Sequence, residues 1–323
     1  MHISSWFTYG LAKGAVTLIR VMPSSPAHAL GQGLGVLAWL LDTFHRRTAE
    51  IQMRGTLGRD YSRCMPLKVF MHHGIILVDA IQYAFMDAGE IKKRIVIEGR
   101  QHIEKALASG RGVMLIEGHI GNWEITMHIP KLIDIEFSTM MNERKDAGLE
   151  SLIQELRTQT GIRRLPPKGG MIKTLVTAMK QGKSIFMAID QRGPRKNTFR
   201  CNLLGLPALT SLAPAFIAIK GDALVVPVSI IRVSGVYHVR FEKPWDSREF
   251  CTDTLTNGSR VRMKDPSVKR LSASMQDWMS SVIREYPEQW IWLYSRWTRR
   301  SEMRRLIESK KGLREYLKEQ VEE

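Results

Sequence analysis

The sequence predicts an α/β fold, a layered sandwich with a central mixed β-sheet flanked by helices and preceded by an N-terminal helical, membrane-associating segment. Three observations carry this reading. Beyond about residue 92, short β-rich runs alternate with segments of helical period, the pattern of a layered α/β domain. The run Val113-Met114-Leu115-Ile116 is apolar without a break, as a strand covered on both faces must be. Residues 1–92 carry no strand signal and read as helices punctuated by Pro23, Pro26 and Pro66.

In order, Arg94–Glu98 is a short strand, and Gln101–Ser109 is a helix closed by Gly110. Val113–Glu117 is the buried strand, and Asn122–Leu132 reads as a helix disturbed at Pro130. Ile135–Met141 is a strand. Ala147–Thr160 and Gly170–Gln181 are helices stopped by Gly161 and Gly182. Ser184–Ile189 is a strand, Leu209–Lys220 a helix, and Leu224–Ile230 and Tyr237–Phe241 are strands. Residues 246–266 are polar and read as a loop, and Val268–Glu285 is an amphipathic helix. The division expected is a helical region 1–92, an α/β domain 93–300 and a charged helix or tail 301–323.

The 323 residues carry 48 Lys and Arg against 32 Asp and Glu, a formal charge of +16. So large an excess selects anionic partners: nucleic acid, an anionic membrane surface, or an acidic protein or substrate. For nucleic acid the chain offers no zinc finger, no RNP-like aromatic strand and no helix-turn-helix signal. Cys64, Cys201 and Cys251 are far apart and form no CxxC pair, so they read as free thiols. Lys13 and Arg20 interrupt the first apolar run, which argues against a signal peptide. Residues 27–41 are apolar but fall short of the roughly 20 that span a bilayer. Trp6, Phe7, Leu11, Val16, Leu18 and Ile19 with Trp39, Leu40 and Leu41 supply apolar area instead, and Arg46, Arg47, Arg54 and Arg59 follow. That combination suits helices lying on an anionic lipid surface; the alternative is two helices packed on the domain.

The chemistry concentrates in GHIGNWEI, residues 118–125. A buried strand ends at Glu117, Gly118 permits a tight turn and a helix starts near Gly121 or Asn122, so His119 stands on a loop at the sheet edge. Glu124, in the first helical turn, can reach back to the imidazole. A carboxylate on one ring nitrogen fixes the tautomer and leaves the other free to take a proton. No Ser or Cys stands beside the pair, so a general base acting on a substrate hydroxyl fits better than a covalent enzyme intermediate. The same spacing also arises in structural pairs. His128 follows Glu124 by four, but this is not HExxH and no third ligand suggests itself, so no metal and no cofactor is expected. His72-His73 reads as packing or surface.

The motif resembles that of the bacterial lipid A biosynthesis acyltransferases, a branch of the glycerolipid acyltransferase superfamily marked by a histidine followed five positions later by an acidic residue. Gly118-His119-Ile120-Gly121-Asn122-Trp123-Glu124 is similar to that branch's G-H-x-G-N-W-E. Asp190-Gln191 closing a strand, Leu204–Ala208 with Thr210, and Val225–Val228 resemble further family blocks. Pro287–Leu293 with Arg296-Trp297 resembles its C-terminal signature, Arg144 its arginine after the next strand, and Arg157 with Gly161 its R-x-x-x-G element. The resemblance covers roughly residues 10–300. It departs at Tyr294, where a histidine is expected, at Ala213, near an expected glycine, and after Arg46-Arg47, where an Asn-Leu pair is missing; these bear on the acceptor rather than on the reaction class.

The resemblance implies transfer of a fatty acyl chain from acyl carrier protein or acyl-CoA to a hydroxyl of a lipid A precursor, at the cytoplasmic face of the inner membrane. His119 would be the base and Glu124 its partner. Arg144, or backbone N–H groups after Gly121, would meet the oxyanion. Asn122 belongs to the substrate-binding set. Arg157 would meet acceptor phosphate or form a salt bridge; Asp190 would hold sugar hydroxyls, a neighbouring arginine, or the fold. Donor protein, anionic lipid acceptor and membrane surface would each account for the charge. Another glycolipid or lysophospholipid acceptor, or a thioesterase using water, keeps the same base.

Overall fold

The computed structural model describes residues 3–139, 147–158, 160, 162–164, 170–194, 196–251 and 261–322. Helices α1 (Ile3–Val21), α2 (Ser24–Leu41), α3 (Thr43–Leu57), α4 (Met65–Ala84) and α5 (Ala88–Lys92) precede the first strand. Pro23 separates α1 from α2, while Pro26 and Pro66 lie in the first turns of α2 and α4, where a missing N–H costs nothing. Helices α2 and α4 cross with their backbones in contact. A Cβ on Gly31 would sit 2.5 Å from the Gly74 carbonyl oxygen, and one on Gly35 would overlap the Phe70 carbonyl. Only glycine at these places allows that approach.

The sheet holds β1 (Ile95–Glu98), β2 (Val113–Glu117), β3 (Phe137–Thr139), β4 (Arg163–Arg164), β5 (Ser184–Ala188), β8 (Leu224–Val233), β9 (Val236–Phe241) and β10 (Trp245–Asp246). Its order is β1-β9-β8-β2-β5-β3-β4, with β10 also on β8. Strands β8, β2, β5, β3 and β4 run parallel, and β9 is antiparallel to β8 but parallel to β1, so the sheet is mixed. Strand β2 is buried at all five positions between β5 and β8. Helices α6 (Arg100–Ala108), α7 (Ile129–Ile133), α8 (Ala147–Thr158), α9 (Met171–Lys180), α10 (Ala213–Lys220) and α11 (Pro266–Glu285) flank it. The charged C-terminus forms two helices, α12 (Arg300–Ser309) and α13 (Leu313–Glu322), whose Met303, Leu306, Leu313 and Leu317 join the main core.

Several elements differ from expectation. The helix expected over Asn122–Leu132 is a 3-10 turn, Trp123–His128, followed by the single turn α7. Its first N–H groups are committed elsewhere, Gly121 to the Gln289 carbonyl and Asn122 to that of Ile230, and Pro130 lies in the first turn of a new helix. Residues expected to open a helix at Leu209 instead complete β7 (Leu206–Ser211), which pairs with β6 (Thr198–Leu203) as a separate hairpin. Its two-residue turn, Leu204 and Gly205, has φ of 54° and 82°, the left-handed pair that a tight hairpin needs. The strand after α7 is described only over Phe137–Thr139. In the loop expected over 246–266, Ser247–Phe250 is a 3-10 turn, and residues 252–260 lie outside the described residues.

Among the described residues no single helix is long and apolar enough to cross a membrane; the segments Thr43–Asp60 and Met65–Ala84 reach that composition only together, bent by 115°. Val16 and Ile19, expected to face lipid, pack in a small core with Ala27, Val78, Ile81 and Leu152. The side chains of Trp6, Phe7 and Leu11 lie outside the described set. Among the described residues, the large apolar side chains exposed in this region are Leu18, Val21, Leu30, Leu34, Leu37, Leu40, Leu41 and Leu77, on α1, α2 and α4.

Candidate active site

The register of β2 on β5 pairs Glu117 with Ala188. Two residues beyond each partner stand His119 and Asp190, so parallel neighbours carry both groups to the same sheet edge, where ligands of such sheets bind. Asp190 accepts from the His119 backbone N–H, from His119 Nδ1 and from Trp290 Nε1, each at 2.8 Å. The ring is thereby fixed with Nδ1–H donated to a carboxylate, leaving Nε2 able to take a proton. The Gln191 side-chain amide lies 3.5 Å from Nε2.

Burial is the largest influence on both groups and opposes their charges. For His119 it is outweighed by the Asp190 charge, its hydrogen bond and the Glu124 charge, so the imidazole pKa is raised above its ordinary value. Burial likewise pushes the Asp190 carboxyl up, but the His119 charge and the converging N–H donors leave it below the usual carboxylate range.

The expected orienting role of Glu124 needs correction. The carboxylate on Nδ1 is Asp190; Glu124 Oε1 instead accepts from Trp123 Nε1 at 3.2 Å and from Arg157 Nη2 at 3.3 Å. Glu124 acts on His119 through charge. The cause is the 3-10 turn, which departs from the helix that was to aim Glu124 back at the ring. Arg157 correspondingly forms the salt bridge, one of its two expected alternatives. Asp190 holds His119 and Trp290 by hydrogen bonds, and the buried Arg296 feels its charge. Asn122 is fully buried, and its backbone N–H on the Ile230 carbonyl anchors the turn. Since the N–H groups of Gly121 and Asn122 are both bonded, neither can serve as an oxyanion donor. Arg144 lies outside the described residues.

The C-terminal signature clamps this loop. Ile291 N–H donates to the His119 carbonyl, Ile120 forms a bridge with Trp290, and the Gln289 side chain bonds both backbone groups of Arg232. Arg296, fully buried, donates to the Leu209 carbonyl and to Thr210, and burial pulls its pKa down to about 10. His72 and His73 are held neutral by burial, at about 3 and about 4. The Trp123 ring stands between His119 and His73, with centroids at 5.3 and 5.8 Å.

His119, Glu124, Arg157 and Gln191 line a cavity of about 530 Å³. Its apolar wall is formed by Met127, Ile172, Leu175, Phe186, Met187 and Ile217. Among the described residues its lining holds no Ser or Cys. Sequence reasoning missed Glu117, which also lines it. That side chain is fully buried and accepts from Thr126 at 2.6 Å; desolvation pushes its pKa well above the usual range, which favours the protonated acid. A lone acid at the end of an apolar strand was the available signal.

The family model described as bacterial lipid A biosynthesis acyltransferase matches residues 1–299. The chain is 24% identical over 327 residues to the lipid A biosynthesis lauroyltransferase of Escherichia coli K12, covering 94% of each chain. It is also 23% identical over 223 residues to the phosphatidylinositol mannoside acyltransferase of Mycolicibacterium smegmatis, covering 68% of this chain and 67% of that protein. Identity to the Mycobacterium tuberculosis CDC 1551 protein of the same name is 22% over 206 residues, and the match spans 60% of that relative's length. With nearly its whole length matched by one family model, this chain belongs to the bacterial lipid A biosynthesis acyltransferase family.

Proposed function

We propose that the chain is an O-acyltransferase that moves a fatty acyl group from a thioester to a hydroxyl of a membrane glycolipid. The observation that carries this is the His119 ring, held at Nδ1 by buried Asp190 at 2.8 Å and lining a cavity with an apolar wall. In the reaction His119 Nε2 takes the acceptor hydroxyl's proton as the oxygen attacks the thioester carbonyl. The tetrahedral intermediate collapses, expelling thiolate, and the imidazolium returns the proton to sulfur. Asp190 holds the tautomer and, with Glu124, favours the imidazolium that forms. The apolar wall takes the acyl chain, so cavity depth sets chain length. Gln191, beside Nε2, orients the hydroxyl.

The acceptor we favour is a lipid A precursor, because the lauroyltransferase match runs the length of both chains; the mannoside acyltransferase matches keep a phosphatidylinositol mannoside as the second reading. We place the protein on the cytoplasmic face of the inner membrane, with the exposed leucines of α1, α2 and α4 against lipid and acyl carrier protein or acyl-CoA as donor. The test offers the purified chain acyl carrier protein and CoA thioesters in turn, each with a lipid A precursor and with a phosphatidylinositol mannoside. Product on the first lipid supports the reading. Product on the second alone transfers it to the mannoside, and thioester hydrolysis without lipid product replaces transferase with thioesterase.

A further inference from the structure

A second concavity, of about 700 Å³, lies between the N-terminal helices and the start of α12, outside the catalytic cavity. One wall is apolar, with Leu34 of α2 and Phe70 and Leu77 of α4. The other carries Arg192, Arg299 and Arg300. Leu34 and Leu77 are themselves exposed, so the apolar wall continues into the leucine-rich outer face of α2 and α4. On the basic wall, the Arg192 Nε is buried without a hydrogen-bond partner. Arg192 and Arg300 make no ion pair among the described residues. Asp42, the one carboxylate in the lining, is already engaged by His45 Nδ1 at 2.6 Å. Among the described residues the Arg299 side chain is paired only with Glu302, at 3.8 Å. Three guanidinium groups therefore face one committed carboxylate beside an apolar surface.

We infer that this groove is a binding site for the phosphate headgroup of a membrane lipid, with Arg192, Arg299 and Arg300 on the phosphate and the chains along Leu34 and Leu77. Arginine forks match phosphate oxygens in pairs, and the adjoining leucines select phosphate attached to acyl chains over free phosphate. The volume lies within the roughly 300–1,000 Å³ of small-molecule sites. Resting on the acyltransferase reading, the groove would hold the acceptor by its phosphate while the hydroxyl reaches His119. The connection is short. His73 lines the groove and packs on Trp123, which packs on His119, and Arg192 follows the Gln191 that approaches Nε2.

The experiment measures binding with no thioester present, so it reports on the groove whether or not the chain transfers anything. The full chain is titrated with short-chain phosphatidic acid, with inorganic phosphate, and with phosphatidylcholine vesicles that contain or lack phosphatidic acid. Arg192→Gln, Arg299→Gln and Arg300→Gln are made together. Arg300→Gln is also made alone, since its side chain is exposed. The control is Lys105→Gln/Lys180→Gln/Lys183→Gln, which removes the same charge from exposed positions elsewhere. The groove predicts that phosphatidic acid binding weakens about tenfold for Arg300→Gln and by more for the triple variant, that the lysine control stays near wild type, and that inorganic phosphate binds far more weakly than the lipid. Equal weakening by the lysine control, or inorganic phosphate binding as tightly as the lipid, overturns the site. Wild-type phosphatidic acid binding in the arginine variants also overturns it, and leaves the transferase reading standing.

Discussion

Replacing Asp190 with Asn is the sharpest perturbation available. Two donors, His119 N–H and Trp290 Nε1–H, meet Oδ2, and His119 Nδ1–H meets Oδ1. An amide has one acceptor oxygen. If it stays on the pair of donors, the NH2 group faces Nδ1, and the ring must turn Nδ1 into an acceptor and carry its proton on Nε2. That tautomer cannot act as a base. The same carboxylate-to-amide change in a Ser-His-Asp triad lowers kcat about 10⁴-fold, or about 5.4 kcal/mol at 1.36 kcal/mol per decade. We expect a loss of that order. Glu124→Gln removes only a charge and should cost less, about 10²-fold at most. The pH profile supplies a second readout. The base must be neutral, so the wild-type rate falls as pH drops through the raised His119 pKa. Both substitutions remove a charge that raises it, and the acid limb should move to lower pH. The assay is acyl transfer across pH, with circular dichroism to check folding. Asp190→Asn activity within about fivefold of wild type, or a loss larger for Glu124→Gln than for Asp190→Asn, would refute this division of roles.

Glu117→Gln should raise stability, more so as pH rises. The folded carboxyl stays protonated above the pH at which the unfolded one ionises, so wild type loses stability between the ordinary carboxyl pKa and the raised folded one. A difference in Tm between the two proteins that did not grow with pH across that window would sink this reading. Gly121→Ala should destabilise by at least about 1–2 kcal/mol in urea, since Gly121 has φ of 59° and a Cβ there would overlap the Ile230 carbonyl; an unchanged midpoint would contradict it. Leu37→Asp/Leu41→Asp, at positions 50% and 73% exposed, should leave folding intact and cut sedimentation with anionic vesicles. Each leucine lost from lipid costs up to about 1.5–3 kcal/mol, and unchanged sedimentation would remove these helices from the membrane face.

Much of the sheet was legible because each strand carries its own signal. The unbroken apolar run of β2 marks the central position, and the glycines after α6 and α9 mark their ends. The hairpin of β6 and β7 was not, because Leu204 adopts a left-handed conformation that only its neighbour Gly205 advertises. His119 was legible from its place after the strand. Its carboxylate partner was not, because local spacing favours Glu124, five residues away, whereas Asp190 arrives through the β2–β5 register, 71 residues along the chain. Knowing that both strands are parallel neighbours, one could have paired residues two beyond each end. Trp290 reaches Asp190 across 100 residues and belongs to the same class of contact.

In the proposed reaction His119 is the base of an acyl transfer. The most direct test is the initial rate of acyl transfer to a lipid A precursor from acyl carrier protein thioester, for wild type and His119→Ala purified in parallel with matched vesicle binding. Wild type is expected to transfer, and the variant to fall by at least about 10²-fold with vesicle binding unchanged. Transfer that survives His119→Ala would contradict it.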